Sequence, residues 1–291
     1  MQDDITAQNL PMTNQAQPPV PSEQSPYQSP PAHPIHLPVI DPLSNPEVLV
    51  FNLDDIKQLR NKYHILGILI GTLQQYPQQN IFLSVPLKLN IYEVLWLVQY
   101  RYAILIDQLS YRNAKLKKLE QKVQGEVKND NLTENNIMVV KNSESQHDAN
   151  LAQSFQISIK SYLSTYFKDC DGQSLSQFIY HYKYYKYLQN RGFYINPGLK
   201  FGGDLVTYPG DPLRYHSYSM VKFDVVDMYD IIVGGRLATS VKKNLILMEL
   251  KEEKEGDDSG GDVSVNDEFL ERLFEEDNEP MCFSIEWAGF G

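Results

Sequence analysis

Apolar positions fall into two ordered stretches with a polar region between them. Val48 to Asn52, VLVFN, reads as a strand, and Leu53 to Arg60 as a helix with Asn52 at its N-cap. The apolar run ILGILIG (65–71) predicts a buried strand followed by a turn. NIFLSVPLKLN (80–90) alternates and predicts another strand, with Pro86 at an edge or bulge. Ile91 to Val98 is apolar at helical spacing, and YAILID (102–107) is a short strand. Together these predict a small mixed α/β domain over residues 47–109.

Residues 110–173 are polar and read as a partly helical linker. The lysines at 115, 117, 118 and 122 (Lys115, Lys117, Lys118, Lys122) form a solvated helix face there. A second ordered region covers 174–291. Ser174 to Gln189, SLSQFIYHYKYYKYLQ, is a predicted helix. Its five tyrosines could stack nucleic-acid bases, but Phe178, Tyr182, Tyr185 and Leu188 fall on one face, which favours a packed core. His181 takes the same reading. Gly192 ends this helix. Short strands follow in FYIN, LKFGGDLVTYPG and SYSMVKFDVVD. MYDIIVGGRLATS predicts a short helix ending at Gly234-Gly235. VKKNLILMEL (241–250) and FSIEWAGF (283–290) are strands.

Composition changes the picture at the two ends. Residues 1–46 hold 11 of the 17 prolines, with much Gln, Ser and Asn, and read as a disordered tail. His33 and His36 in it lack the carboxylate or thiol support of a metal site. The formal charge of −11 argues against nucleic acid until it is located. Residues 249–280 carry 14 acids and 3 bases, leaving 23 of each sign elsewhere. The acidity therefore belongs to one insertion, 251–280, read as a solvated loop with an amphipathic turn at Phe269 to Phe274. Residues 1–20 show no secretory pattern, and no apolar run is long enough to span a bilayer. Cys170 and Cys282 form neither a disulfide framework nor a metal spacing, which fits a reducing compartment.

Phe201 to Met220, FGGDLVTYPGDPLRYHSYSM, carries the candidate chemistry. Pro209 and Pro212 stiffen a turn around Asp211, and Tyr208 and His216 flank it. Lys243 opens a strand that could run beside them. Base, acid and cation without a metal suit RNA cleavage by attack of the 2′-OH. Histidine as a residue type titrates near neutrality, and tyrosine needs a nearby cation to act as base. A packed core histidine beside a tyrosine explains the same residues equally well. There is no Walker loop, dinucleotide fingerprint or nucleophile elbow. A metal-dependent nuclease built on Asp204 and Asp211 is a further reading, but no third ligand completes it.

Three blocks resemble one family, the tRNA-splicing endonucleases, and specifically the catalytic subunit for the 3′ splice site in its fungal form. They are FGGDLVTYPGDPLRYHS (201–217), GGRLATSVKKNLIL (234–247) and FSIEWAGFG (283–291). GILIGTLQQYPQQNIFLSVPLKL (67–89) is similar to the family's N-terminal domain. The resemblance implies an α/β (α+β) fold, with a C-terminal endonuclease domain built on a central mixed sheet. It implies Tyr208 as general base, His216 as general acid and Lys243 as transition-state stabiliser. The products would be a 2′,3′-cyclic phosphate and a 5′-hydroxyl, with no metal or other cofactor. Arg236 and Trp287 match a pair that would clamp an RNA base at a partner's active site. Read by themselves, Arg236 caps a helix end and Trp287 is a core strand residue. Tyr218 stands where many relatives carry a second histidine. The implied partners are precursor tRNA, a second catalytic subunit and two structural subunits. The implied location is the nucleus or the outer mitochondrial surface. A non-catalytic scaffold or RNA-binding subunit of the same assembly is the alternative.

Overall fold

The computed structural model describes residues 30–72, 83–126, 151–223, 227–250, 265–275 and 279–286. Its first half runs β1 (Ile35–Ile40), β2 (Glu47–Val50), α1 (Leu53–Tyr63), β3 (Ile68–Thr72), β4 (Leu83–Lys88), α2 (Ile91–Gln99), β5 (Ala103–Asp107) and α3 (Gln108–Glu126). Then come α4 (Ile159–Tyr166), α5 (Gly172–Asn190), β6 (Tyr194–Pro197), β7 (Leu205–Tyr208), β8 (Ser219–Phe223), α6 (Met228–Ser240), β9 (Asn244–Glu249), α7 (Asp267–Phe274) and β10 (Met281–Ile285).

Two mixed five-stranded sheets result, ordered β3-β4-β2-β1-β5 and β10-β9-β8-β7-β6. In the first, β1 and β5 are parallel and the other neighbours antiparallel. In the second, β8 and β9 are parallel, joined through α6, and the rest antiparallel. The α/β (α+β) reading therefore holds.

Local signals place the helices as expected. Asn52 accepts from Asp54 N and starts α1. Asn90 and Glu93 form a capping box at α2. The Glu93 carboxylate also accepts from Gly67 N at 2.9 Å, tying α2 to the approach of β3. Its burial pushes its pKa up to about 7, against those hydrogen bonds. Gly192, at positive φ, follows the C-cap of α5.

Helix α5 joins the halves. Phe178, Tyr182, Tyr185 and Leu188 are buried, as the spacing predicts, and Tyr184 with them. The core they enter runs from Ile35 and Leu37 through Trp96 to Leu205, Val221 and Met248. Several polar groups are paired within it, although the buried Tyr63 hydroxyl has no hydrogen-bond partner. Trp96 Nε1 donates to Asn190 at 2.8 Å, and Gln189 donates to Tyr63 O at 2.7 Å.

Several expectations need correction. The tail reading of 1–46 fails at Ile35–Ile40, which forms a central strand with Leu37 and Val39 fully buried. The alternation Ile35-Leu37-Val39 outweighs the surrounding prolines because one face can be buried between β2 and β5. The linker reading of 110–173 fails from 151 on. Ile106 bridges to Gln156, and Leu163 is fully buried on α4. The strand expected over 65–71 begins at Ile68 and is a half-exposed edge, with Ile68 51% exposed. Helix α6 does not stop at Gly234-Gly235. Both glycines are buried in mid-helix, and a Cβ on Gly234 would lie 3.2 Å from Leu245, so Gly234 serves close packing on β9. In the acidic insertion, Asp267–Phe274 is a true helix with Phe269 and Leu273 buried against the core. This helix of the insertion is thus anchored.

Leu273→Ala should destabilise the protein by about 2–4 kcal/mol in urea unfolding. A loss below about 0.5 kcal/mol would mean that α7 does not hold its packed position.

Candidate active site

One end of the second sheet collects the candidate residues. Tyr208 closes β7, opposite Tyr194 of β6. Tyr218 N donates to Thr207 O at 3.0 Å, drawing the chain back beside β7 to start β8. The residues between them form a protruding turn. The Asp211 backbone oxygen accepts from Arg214 N and Tyr215 N, and its carboxylate accepts from Leu213 N at 2.8 Å. This is an Asx-type turn, which the Asp-Pro sequence favours. A Cβ on Gly210 would lie 2.7 Å from the Tyr215 ring, so only glycine lets that ring fold over the turn. His216 follows and is exposed, and Ser217 is buried.

Lys243 comes from the adjacent crossover. Lys242 adopts a left-handed φ of 55°, turning the chain out of α6. Lys243 N donates to Ala238 O at 2.8 Å, and Asn244 N to Tyr218 O at 3.1 Å. The parallel register Ser219↔Asn244 then sets Lys243 beside the end of β8. Its ammonium donates to Ser217 O at 3.3 Å and lies 4.8 Å from the Phe201 ring centroid. Burial lowers the Lys243 pKa. Tyr208, His216 and Lys243 thus arise from three adjacent strand ends, and Lys243 reaches the residue next to His216.

The other candidates lie elsewhere. Arg236 sits on the exposed side of α6. Trp287 lies outside the described residues. Asp204 accepts from Phe223 N at 2.8 Å. Asp211 is held by a residue the sequence reading passed over. Arg60, near the end of α1, donates through Nε and Nη2 to its two carboxylate oxygens at 2.9 and 2.7 Å. That bidentate pair holds the Asp211 carboxyl down at about 2. Both carboxylates proposed for a metal are therefore engaged by the protein. Among the described residues no group of three or more His, Cys, Asp or Glu is arranged to hold a metal. The Asp-Pro turn was a visible signal for Asp211, whereas nothing local marks Arg60 as its partner.

Comparison with known proteins places both halves of the chain. The TSEN34-like N-terminal domain model matches residues 39–108, from within β1 to the end of β5. The tRNA intron endonuclease catalytic C-terminal domain model matches residues 178–258, which include all three site residues. The probable tRNA-splicing endonuclease subunit sen34 of Schizosaccharomyces pombe is 30% identical over 84% of this chain and 95% of its own length. The tRNA-splicing endonuclease subunit SEN34 of Saccharomyces cerevisiae is 32% identical over 84% of this chain and 99% of its own.

The chain belongs to the Sen34 family of tRNA-splicing endonuclease subunits.

It carries that family's catalytic domain and is a tRNA intron endonuclease. The tRNA-splicing endonuclease of Hyperthermus butylicus is a shorter match to this chain. That match is 36% identical over 23% of this chain and 39% of the relative. No helix among the described residues is long and apolar enough to cross a membrane.

The Arg60–Asp211 pair has a pH signature. The folded-state pKa of Asp211 is depressed, so its contribution to stability is complete above the ordinary carboxyl value of about 4 and fades as pH falls toward 2. The melting-temperature gap between wild type and Asp211→Asn should be constant from pH 5 to 8 and close below pH 4. A gap that widens toward acid would contradict the ion pair.

Proposed function

We propose that this chain cuts intron-containing precursor tRNA at the 3′ splice site without a metal, through Tyr208, His216 and Lys243. The observation that carries the reading is the reach of the Lys243 ammonium to Ser217 O, beside His216, at the sheet end where β7 delivers Tyr208. In the reaction, Tyr208 takes the proton of the ribose 2′-OH. The freed 2′ oxygen attacks the adjacent phosphorus, and the bond from phosphorus to the 5′ oxygen breaks. His216 gives its proton to that leaving oxygen. Lys243 balances the charge gathering on the non-bridging oxygens. The ends are then a 2′,3′-cyclic phosphate and a 5′-hydroxyl, and no redox or metal step is needed.

The 3′ assignment rests on the resemblance of the motif blocks to the 3′-site subunit rather than on the geometry. The chain would act in a heterotetramer with a second catalytic subunit and two structural ones, in the nucleus or on the outer mitochondrial surface; its kinship with named endonuclease subunits supports the assembly. Precursor tRNA would be held by shape and by single-stranded bulges. Arg236, on the exposed side of α6, has the position of a residue that serves a neighbouring subunit, with Trp287 as its stacking partner.

In a reconstituted complex, His216→Ala should slow 3′ cleavage by at least about 100-fold while assembly and 5′ cleavage persist. Normal 3′ cleavage by that variant would remove the assignment and favour a scaffold role. Cleavage should continue in EDTA and leave 5′ ends that a kinase can label directly. Loss of activity in EDTA would point to a metal. The Arg236→Ala/Trp287→Ala double variant should slow 5′ cleavage about tenfold and 3′ cleavage less. An equal or reversed effect would refute a role at the partner's site.

A further inference from the structure

Helix α1 belongs to the first sheet's domain, yet its last turn reaches the catalytic end of the second sheet on two sides. On one side is the bidentate contact from Arg60 to Asp211, which stands between Tyr208 and His216 in the chain. On the other is His64. Its ring stacks on Tyr194 at 4.4 Å between centroids, and its Nδ1 lies 2.8 Å from Gly192 O. Tyr194 is the cross-strand partner of Tyr208.

We propose that Arg60 is a positioning residue for RNA cleavage: through Asp211 it holds the 208–217 turn so that His216 and Tyr208 stay in register with Lys243. The turn needs such a hold. Residues 209–216 make no strand pairing, and His216 is exposed at their end. The internal hydrogen bonds of the Asp211 turn fix its shape but not its tilt relative to the sheet. A tether from another element fixes the tilt. A planar guanidinium gripping both carboxylate oxygens fixes direction as well as distance, which a single ammonium contact does not.

The anchorage is rigid. Tyr63, next to His64, is fully buried, and its carbonyl accepts from Gln189 of α5. Arg60 and Asp211 keep 30% and 23% of their side-chain surface, so the pair is partly shielded from solvent. A displacement of about 1 Å at a reacting group can cost on the order of 100-fold in rate, far more than such a pair contributes to stability. The contact thus matters for geometry more than for folding.

This inference rests on the proposed roles of Tyr208 and His216. The test uses the reconstituted complex with precursor tRNA, comparing Arg60→Gln, Arg60→Lys, Asp211→Asn and Arg60→Gln/Asp211→Asn with His216→Ala as reference. Asp211→Asn keeps the acceptor for Leu213 N and removes the charge. Single-turnover 3′ cleavage per assembled complex should fall about 10- to 100-fold in Arg60→Gln and Asp211→Asn, with precursor binding within twofold of wild type. The double variant should be no slower than the slower single one, and Arg60→Lys should recover part of the rate.

Unchanged single-turnover rates with a dead His216→Ala would overturn the positioning role alone. Unchanged rates with an active His216→Ala would overturn the catalytic reading and this one together. Weaker precursor binding in Arg60→Gln but not in Asp211→Asn would make Arg60 an RNA ligand and refute the proposal. So would a loss of rate that only tracks loss of assembled complex.

Discussion

The packing of α5 between the two sheets is the constraint on which the other contacts depend. Its apolar residues enter a core shared by both halves, and its last turn carries the buried Gln189 and half-buried Asn190 amides that join them. A buried amide without a partner costs about 1–3 kcal/mol, so Gln189 tolerates little sliding of one half against the other. Asn190 also bridges the halves: its oxygen accepts from Trp96 and its amide donates to Tyr100. The register between the sheets is therefore specified by direction-dependent bonds as well as by apolar burial.

That register gives the active end of the second sheet its surroundings. Sheet pairing fixes Tyr208 at the end of β7, while His216 and Lys243 lie in the segments that lead into β8 and β9. The turn between Tyr208 and His216 projects beyond the ladder, and the first sheet's domain meets it there through Arg60. The domain with no proposed reacting group thus supplies part of the geometry around those groups. On the far side, α7 closes the core. Gln99 of α2 donates to Phe274 O, and Lys186 of α5 donates to Glu275 O. An insertion between two strands of the endonuclease domain is in this way bound to the same spine.

Much of this was legible in the chain. Alternation and helical spacing located most strands and helices, and cap residues such as Asn52 and Asn90 marked helix starts because capping is local chemistry. The site's residue types stood out because a Tyr and a His around a Pro-Gly-Asp-Pro turn are unusual together. The failures share one cause. The tail reading averaged composition over 46 residues and hid the Ile35-Leu37-Val39 alternation. The reading of Gly234-Gly235 as a helix stop weighed backbone propensity without Leu245, which packs against Gly234. The acidic insertion was judged by its charge, although Phe269 and Leu273 lie on one face of it.

By itself, then, the sequence determined most of the elements, the family and the three residues proposed for chemistry, since these depend on local pattern and contiguous motifs. Tertiary structure alone decided that Ile35–Ile40 is a central strand and that Lys243 meets the chain at Ser217. It also decided that Asp211 answers to Arg60, 151 residues away. Contacts of that separation are set by how two sheets pack on one helix, and no local window of sequence carries that information. Asp211 shows the division most plainly. As a residue type it was a possible metal ligand, and its partner across the fold made it an anchor.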